Sequence, residues 1–291
     1  FKTALLSGVF MSLYPPLVYF DSQLLTTSLE IFLNLLGIYI LLRALYESKK
    51  SGLWFLTGLL LGLAAITRPT ILVFAAVILF LILMKFKKAL LPYLTGLALI
   101  ILPVTLHNAI RGKDLIFIAW NDGINFYIGN NEASNGWSAT APQIRGDWWG
   151  GYEDAIKVAE AEMGKKLKPS QVSNFWYRKA FDFITKKPGH LIQLLFRKSL
   201  LFINAYEFKN NNDYNYFKKE MTTLKFLPLA FGLLAPLGII GLYLYRQKSI
   251  GAKTLITFTA CYAASVILYF VCDRYRLPAI PILLIFSSTA L

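Results

Sequence analysis

Residues 52–84 read GLWFLTGLLLGLAAITRPTILVFAAVILFLILM, with a single charge, Arg68, in the whole stretch. A helix that crosses a bilayer needs about 20 mostly apolar residues. The stretch is therefore long enough for two short spans that turn back at Arg68-Pro69. It sets the fold class as all-α and polytopic in a membrane. The same pattern recurs along the chain. Eight candidate spans emerge: Thr3–Phe20, Leu24–Leu42, Gly52–Thr67, Pro69–Met84, Ala89–Leu106, Phe226–Tyr245, Thr254–Cys272 and Leu277–Leu291.

Composition agrees with that class. Of 291 residues, 56% are hydrophobic and 16% charged, and the mean hydropathy is +0.52. Soluble domains average about 45–50% apolar and about 25% charged residues. Disorder, collagen and small disulfide scaffolds are excluded, and too few polar residues remain to cover a soluble enzyme. The net charge of +14 points to lipid headgroups and topology signals rather than to nucleic acid. Cys261 and Cys272 lie eleven residues apart in one apolar run and cannot pair with each other. No metal-ligand spacing occurs, and His107 and His190 are isolated. No cofactor is expected; the question of a divalent cation stays open. The chain starts at Phe1 and ends at Leu291 inside apolar segments, which reads as an internal fragment of a longer protein.

The loops set an orientation. One group carries Arg43, Lys49, Lys50, Lys85, Lys87, Lys88, Arg246, Lys248 and Lys253 against the single acid Glu47. The other carries Arg68, Arg274 and Arg276 with Asp21 and Asp273. The positive-inside rule places the first group in the cytoplasm. Three regions follow: a membrane domain over 1–106, an extracytoplasmic domain over 107–225, and a second membrane domain over 226–291. The segment Leu191–Tyr206 has Arg197 and Lys198 at its middle. Crossing there would turn the later lysines outward, so residues 189–206 read as an amphipathic helix on the outer membrane surface or the spans.

Within the outer region, Ala119–Gly151 is rich in Asn, Gly and Trp and reads as turns. From Tyr152 the pattern becomes helical, with Gly164 as a stop and Ser170 as the N-cap of the next helix, which runs to about Thr185; Pro188 opens another. Asn125, Phe126, Tyr127, Asn130, Asn131 and Trp137 combine amides with flat rings, the pairing that sugars require. The plainer alternative is that these residues serve turn geometry.

Charge at the outer ends of the spans carries the chemistry. Arginine recognises phosphate through a planar fork of donors. Arg68, Arg274 and Arg276 lie on one side, beneath the long loop, and suit an anionic headgroup; as a bland alternative they snorkel as anchors. Asp21 is an outward carboxylate that could act as a base or mark a helix end. Glu30 falls inside a span, which calls for a partner or a cavity. Glu207, in Asn-Ala-Tyr-Glu, is an external acid near the membrane.

Five pieces carry a resemblance: Tyr14-Pro15-Pro16-Leu17; Gly58 to Thr70 (GLLLGLAAITRPT); Asn125 to Asn131 (NFYIGNN); Asn204-Ala205-Tyr206-Glu207 with Asn211-Asn212; and Asp273-Arg274-Tyr275-Arg276-Leu277-Pro278. In this order the chain resembles membrane glycosyltransferases of the dolichyl-phosphate-mannose–protein mannosyltransferase type (glycosyltransferase family 39, the GT-C fold), to which the lipid A aminoarabinose transferases are related. The resemblance implies transfer of a sugar from a polyprenyl-phosphate donor to a protein, lipid or glycan acceptor on the outer face of the cytoplasmic membrane. It implies that Arg68, Arg274 and Arg276 cradle the lipid phosphate, with Tyr275, Asn125, Tyr127, Asn130, Trp137 and Glu207 near substrate. It also implies a catalytic acid in an earlier external loop, upstream of Phe1; Asp21 takes that role only under another alignment of the first hairpin. Relatives carry an acid where this chain has Thr27. Two other classes compete. A non-catalytic module of the cell envelope shares the topology. A transporter or flippase would show midplane polar sites and internal repeats, and the sequence shows Glu30 alone and no repeat.

Overall fold

The computed structural model describes residues 2–210, 212–246 and 249–291, the side chain of Trp148 excepted. Lys248, counted above among the loop lysines, and Asn211 of the Asn-Asn pair lie outside the described residues. The described chain is all-helical, and its one β pairing is an isolated bridge between Ala141 and Ile144. It divides into two compact units. Unit 1 comprises residues 1–103, 214–265 and 274–291, and unit 2 comprises 104–213 and 266–273. The divisions fall at Pro103 and Asp213, against the expected 106 and 225, and 266–273 joins the second unit.

In chain order the helices are α1 (Lys2–Leu13), α2 (Pro15–Asp21), α3 (Thr27–Tyr46), α4 (Ser51–Thr67), α5 (Leu72–Lys85), α6 (Leu90–Ile110), α7 (Asp122–Gly129), α8 (Trp148–Met163), α9 (Pro169–Lys186), α10 (Pro188–Phe202), α11 (Tyr214–Glu220), α12 (Thr222–Phe226), α13 (Phe231–Tyr245), α14 (Ile250–Leu268), α15 (Asp273–Arg276) and α16 (Ile280–Ala290). Short 3-10 turns precede α5, α6 and α16.

The expected eight spans are not what forms. Among the described residues, three helical segments are long and apolar enough to cross a membrane: Thr27–Tyr46, Lys87–Ile110 and Ile250–Leu268. A fourth arises if α1 and α2, bent by 64°, are taken as one span. Proline explains much of the shortfall. The residue before a proline is pushed out of the helical region by the ring. Tyr14 (φ −86, ψ 109), Arg68 (φ −156, ψ 117) and Leu227 (φ −75, ψ 118) are all extended, each directly ahead of a proline. These breaks split Thr3–Phe20, hold α4 to 17 residues and delay α13, which has 15. The expected Leu277–Leu291 span loses its first turn to a 3-10 segment, leaving 11 residues in α16.

In unit 1, α3 packs on α4, and α16 packs on α13 and α1. A core of Tyr14, Leu17, Tyr19, Phe20, Phe231, Leu234, Leu277 and Leu284 joins α2, α13 and α16. Helices α4 and α6 meet through small residues. A Cβ on Gly58 would lie 2.1 Å from the Tyr93 carbonyl oxygen, and one on Gly96 would lie 2.2 Å from that of Phe55. Such contact between small residues is how helices associate where lipid removes the hydrophobic driving force. Phe32, Phe80, Met84, Leu91 and Leu99 remain exposed, a surface that suits an apolar surrounding better than water.

In unit 2, α9 is the centre, with α7, α8 and α10 packed on it. Trp176 is buried and donates its ring N–H to Ala155 O at 3.0 Å. Helix α8 starts at Trp148 rather than Tyr152. Asp147 caps it by accepting from Gly150 N at 2.7 Å, and Gly164 ends it in the left-handed region (φ 64). Ser170 is not the N-cap of α9. It stands inside the first turn, and the acceptor is Asp114, which takes Ser170 N at 2.7 Å and Ser170 Oγ at 2.6 Å. The segment expected to hold only turns contains α7. Its Gly123 would, with a Cβ, lie 2.0 Å from Ser173 O, so this glycine permits helix contact rather than a turn. Helix α10 ends at Phe202, short of Tyr206, and leaves Ile192, Phe196 and Leu200 exposed while Leu194 and Lys198 turn inward.

Candidate functional site

Unit 1 gathers polar side chains in its buried part. Glu30 lies in the first turn of α3 and is 1% exposed. Its Oε1 accepts from the Tyr262 hydroxyl on α14 at 2.8 Å, and its Oε2 lies 3.4 Å from Arg68 Nη1. The pre-proline break ends α4 at Thr67 and leaves Arg68 extended just past it. The Arg68 guanidinium sits over the Tyr275 ring at 4.1 Å from its centroid. Arg274 approaches the same ring at 5.1 Å and donates from Nη2 to the Tyr275 hydroxyl at 3.3 Å. Two arginines from distant parts of the chain thus share one aromatic ring, whose quadrupole attracts cations. Glu30 is within electrostatic reach of both. Arg276, also on α15, is buried and lies over the Phe231 ring at 3.8 Å.

Asp21 has a different setting. It is exposed at the end of α2 and its Oδ1 accepts from Ser28 Oγ at 2.5 Å, which ties α2 to the start of α3. Among the described residues it forms no ion pair. The cluster contains two members that reading the sequence did not assign to it. Tyr262 gave no signal, because a tyrosine in an apolar run is ordinary. Glu30 gave one, as an acid inside a span, without naming Arg68 as its partner.

Unit 2 holds the amide and aromatic residues expected to meet sugar. Asn130, at the end of α7, is 2% exposed and fully engaged. It donates to Phe126 O at 2.9 Å and Leu268 O at 2.8 Å, and it accepts from Lys198 Nζ at 3.2 Å. Asn131 likewise donates to Tyr127 O and Ile128 O and accepts from Ala133 N. These two amides hold backbone together, as the turn-geometry alternative has it. Tyr127 packs on Trp176 at 4.8 Å; its hydroxyl pKa is raised by burial and then by Glu162. Asn125 is half-buried on α7, and Trp137 is half-buried against Phe208 at 5.6 Å. Glu207 is buried in the segment after α10.

Lys198 is the unexpected group here. It is wholly enclosed on the inner face of α10, and burial pushes its pKa down from 10.5 to about 7. Its neighbour Arg197 points outward. Cys261 and Cys272 are free thiols. Among the described residues, no group of three or more His, Cys, Asp or Glu side chains is placed to hold a metal ion. Compared with known proteins, the chain matches no family model, no curated sequence and no solved structure.

Proposed function

We propose that the chain is a multi-pass glycosyltransferase of the cytoplasmic membrane, with the GT-C fold, that takes a sugar from a polyprenyl-phosphate donor and passes it to an acceptor on the outer face. The observation that carries this reading is the pair of arginines on the Tyr275 ring, with Arg68 also held by Glu30. The lipid phosphate is the leaving group. Fixed positive charge aimed at it stabilises the charge that develops as the sugar–phosphate bond breaks. The anomeric carbon becomes oxocarbenium-like, as in glycoside hydrolysis, and a carboxylate takes the acceptor's proton. Unit 2 is extracytoplasmic in this reading. The exposed Ile192, Phe196 and Leu200 stripe of α10 then lies in the membrane interface.

The test incubates membranes carrying the protein with polyprenyl-phosphate-linked sugars and follows free polyprenyl phosphate by mass spectrometry. Release should occur with wild type and fall at least tenfold in Arg274→Ala. Release that is equal in both would remove the phosphate from this cluster. No release with any donor would remove the transferase. Topology has its own check: in a background lacking Cys261 and Cys272, Lys157→Cys should label from outside and Lys49→Cys only from inside.

A transport reading has one observation in its favour. Asn34, one turn along α3 from Glu30, is 1% exposed, and neither atom of its amide has a hydrogen-bond partner. Buried polar groups within spans mark substrate paths in transporters. Uptake of an intact lipid-linked sugar into vesicles without release of polyprenyl phosphate would favour that reading over the first.

A further inference from the structure

Helices α8 and α9 of unit 2 enclose a cleft of about 350 Å³ that none of the residues discussed above occupies. Met163, Leu167 and Phe175 supply its apolar wall, and Lys165, Arg178 and Asn174 supply its polar groups. The cations are what set it apart. Most other basic residues of these helices and their turn hold a partner: Lys157 pairs with Glu153, Lys166 with Glu160, Lys179 with Glu162 and Lys186 with Asp182, while Lys168 donates to Lys113 O. Lys165 and Arg178 hold none, although both line the cleft. The Asn174 side chain likewise makes no hydrogen bond among the described residues, and the residue is exposed. Two uncompensated cations and a free amide around an aromatic wall form an anion site with a flat apolar floor.

The backbone narrows the ligand class. A bound peptide draws much of its affinity from an exposed strand edge or free loop amides. No strand lines this cleft. Most amides of the α8–α9 turn are already used: Lys165 N donates to Glu160 O, Leu167 N to Glu160 Oε1 and Lys168 N to Gln171 Oε1. Recognition then comes mainly from side chains. The volume lies at the small end of the range of about 300–1,000 Å³ for small-molecule sites, which suits one or two sugar rings and excludes a long lipid chain.

We infer that the α8–α9 cleft binds an acidic glycan, with Lys165 and Arg178 on its carboxylate or phosphate, Asn174 on a hydroxyl and the Phe175 ring against a pyranose face. The inference rests on the transfer reading for its meaning, since it names an acidic sugar chain as the acceptor class. Its test needs no donor and no turnover, so it can fail while release of polyprenyl phosphate persists, and the reverse.

The full chain in nanodiscs is titrated with a hexamer of galacturonic acid, with maltohexaose as the neutral probe and hexaglutamate as an acidic peptide. Wild type should bind the hexauronate at least tenfold more tightly than maltohexaose, and the affinity should fall as salt rises. Lys165→Ala with Arg178→Ala should lose at least tenfold, Phe175→Ala several-fold, and Lys157→Ala, whose lysine pairs with Glu153, should lose nothing. All four positions are at least partly exposed, and far-ultraviolet circular dichroism confirms that each variant folds. Equal hexauronate affinity in wild type and the double variant would overturn the site. Hexaglutamate bound as tightly as hexauronate would overturn the glycan class.

Discussion

Replacing Lys198 with methionine should make the protein more stable at neutral pH, and the gain should fade as pH rises. The side chain is 0% exposed, and it donates to Asn130 Oδ1 at 3.2 Å. Burial holds its pKa near 7 instead of the ordinary 10.5. At about 1.4 kcal/mol per pH unit, that displacement opposes folding with the charged form by about 5 kcal/mol. The sign follows from counting protons. Between the folded value of about 7 and the unfolded value of 10.5, the unfolded chain carries the lysine proton and the folded chain does not. Stability therefore rises with pH through that window. The destabilisation is greatest below it and absent above it. Linkage puts it at about 4 kcal/mol at pH 7 and about 2 kcal/mol at pH 9. Methionine keeps the unbranched shape without the charge, but it deprives Asn130 Oδ1 of a donor, which returns about 1–2 kcal/mol at either pH. Lys198→Met should thus gain about 2–3 kcal/mol at pH 7 and be nearly neutral at pH 9. Guanidinium unfolding of the detergent-solubilised protein, followed by tryptophan fluorescence at both pH values, reads this directly; Trp176 lies in the core of the same unit. A difference of equal size at the two pH values, or a variant less stable at pH 7, would refute the reasoning, because it would mean that the ammonium is held charged.

Gly58→Ala should cost about 1–3 kcal/mol by overpacking, since its Cβ would meet Tyr93 O, whereas Gly52→Ala, which has nothing within 4 Å, should change the melting temperature little. Asp114→Ala should cost about 1–2 kcal/mol through the lost cap, and hydrogen exchange should speed up at Ser170 N, which Asp114 accepts. Glu30→Gln should destabilise by about 3 kcal/mol because it removes a carboxylate from beside the partly buried Arg68; adding Arg68→Gln should recover part of that loss, and a double variant whose loss equals the sum of the two single losses would show that the two act independently.

The helical class and the apolar runs could be read directly, because a window of twenty apolar residues needs no tertiary information. Segment ends could not. Tyr14, Arg68 and Leu227 are each pushed extended by the next residue, and a hydropathy window averages over a single proline. Helix α7 was hidden for another reason. Asn, Gly and Trp favour turns locally, but Gly123 lies where α7 touches Ser173, a contact made fifty positions away. The positions of Arg68 and Arg274 at span ends came from loop counting, while the ring they share came only from the fold. Lys198 read as an obstacle to crossing the membrane. That it turns inward beside Leu194, with Arg197 left outside, depends on how α10 is rotated against α9, which composition does not encode.

The Glu30–Arg68 pair bears on why an anion site would contain an acid. Two guanidinium groups near 4 and 5 Å from one ring centroid repel each other, and the Tyr275 quadrupole offsets only part of that. Glu30 supplies counter-charge within electrostatic reach of both. Glu30, Arg68 and Arg274 together then carry one net positive charge, enough to attract a phosphate with less grip than the two cations would have without the acid. Tyr262 fixes the other oxygen of the carboxylate, so Glu30 cannot rotate to follow an arriving ligand. If the arginines only anchored spans to headgroups, they would gain by snorkelling outward, and a buried acid with a buried tyrosine on it would add cost without return. The placement of Glu30 and Tyr262 beneath Arg68 is therefore easier to understand as preorganisation than as anchoring. It makes Tyr262→Phe the sharpest discriminator: a positioning role predicts a fall in turnover with little change in donor affinity, and an anchoring role predicts no change in either.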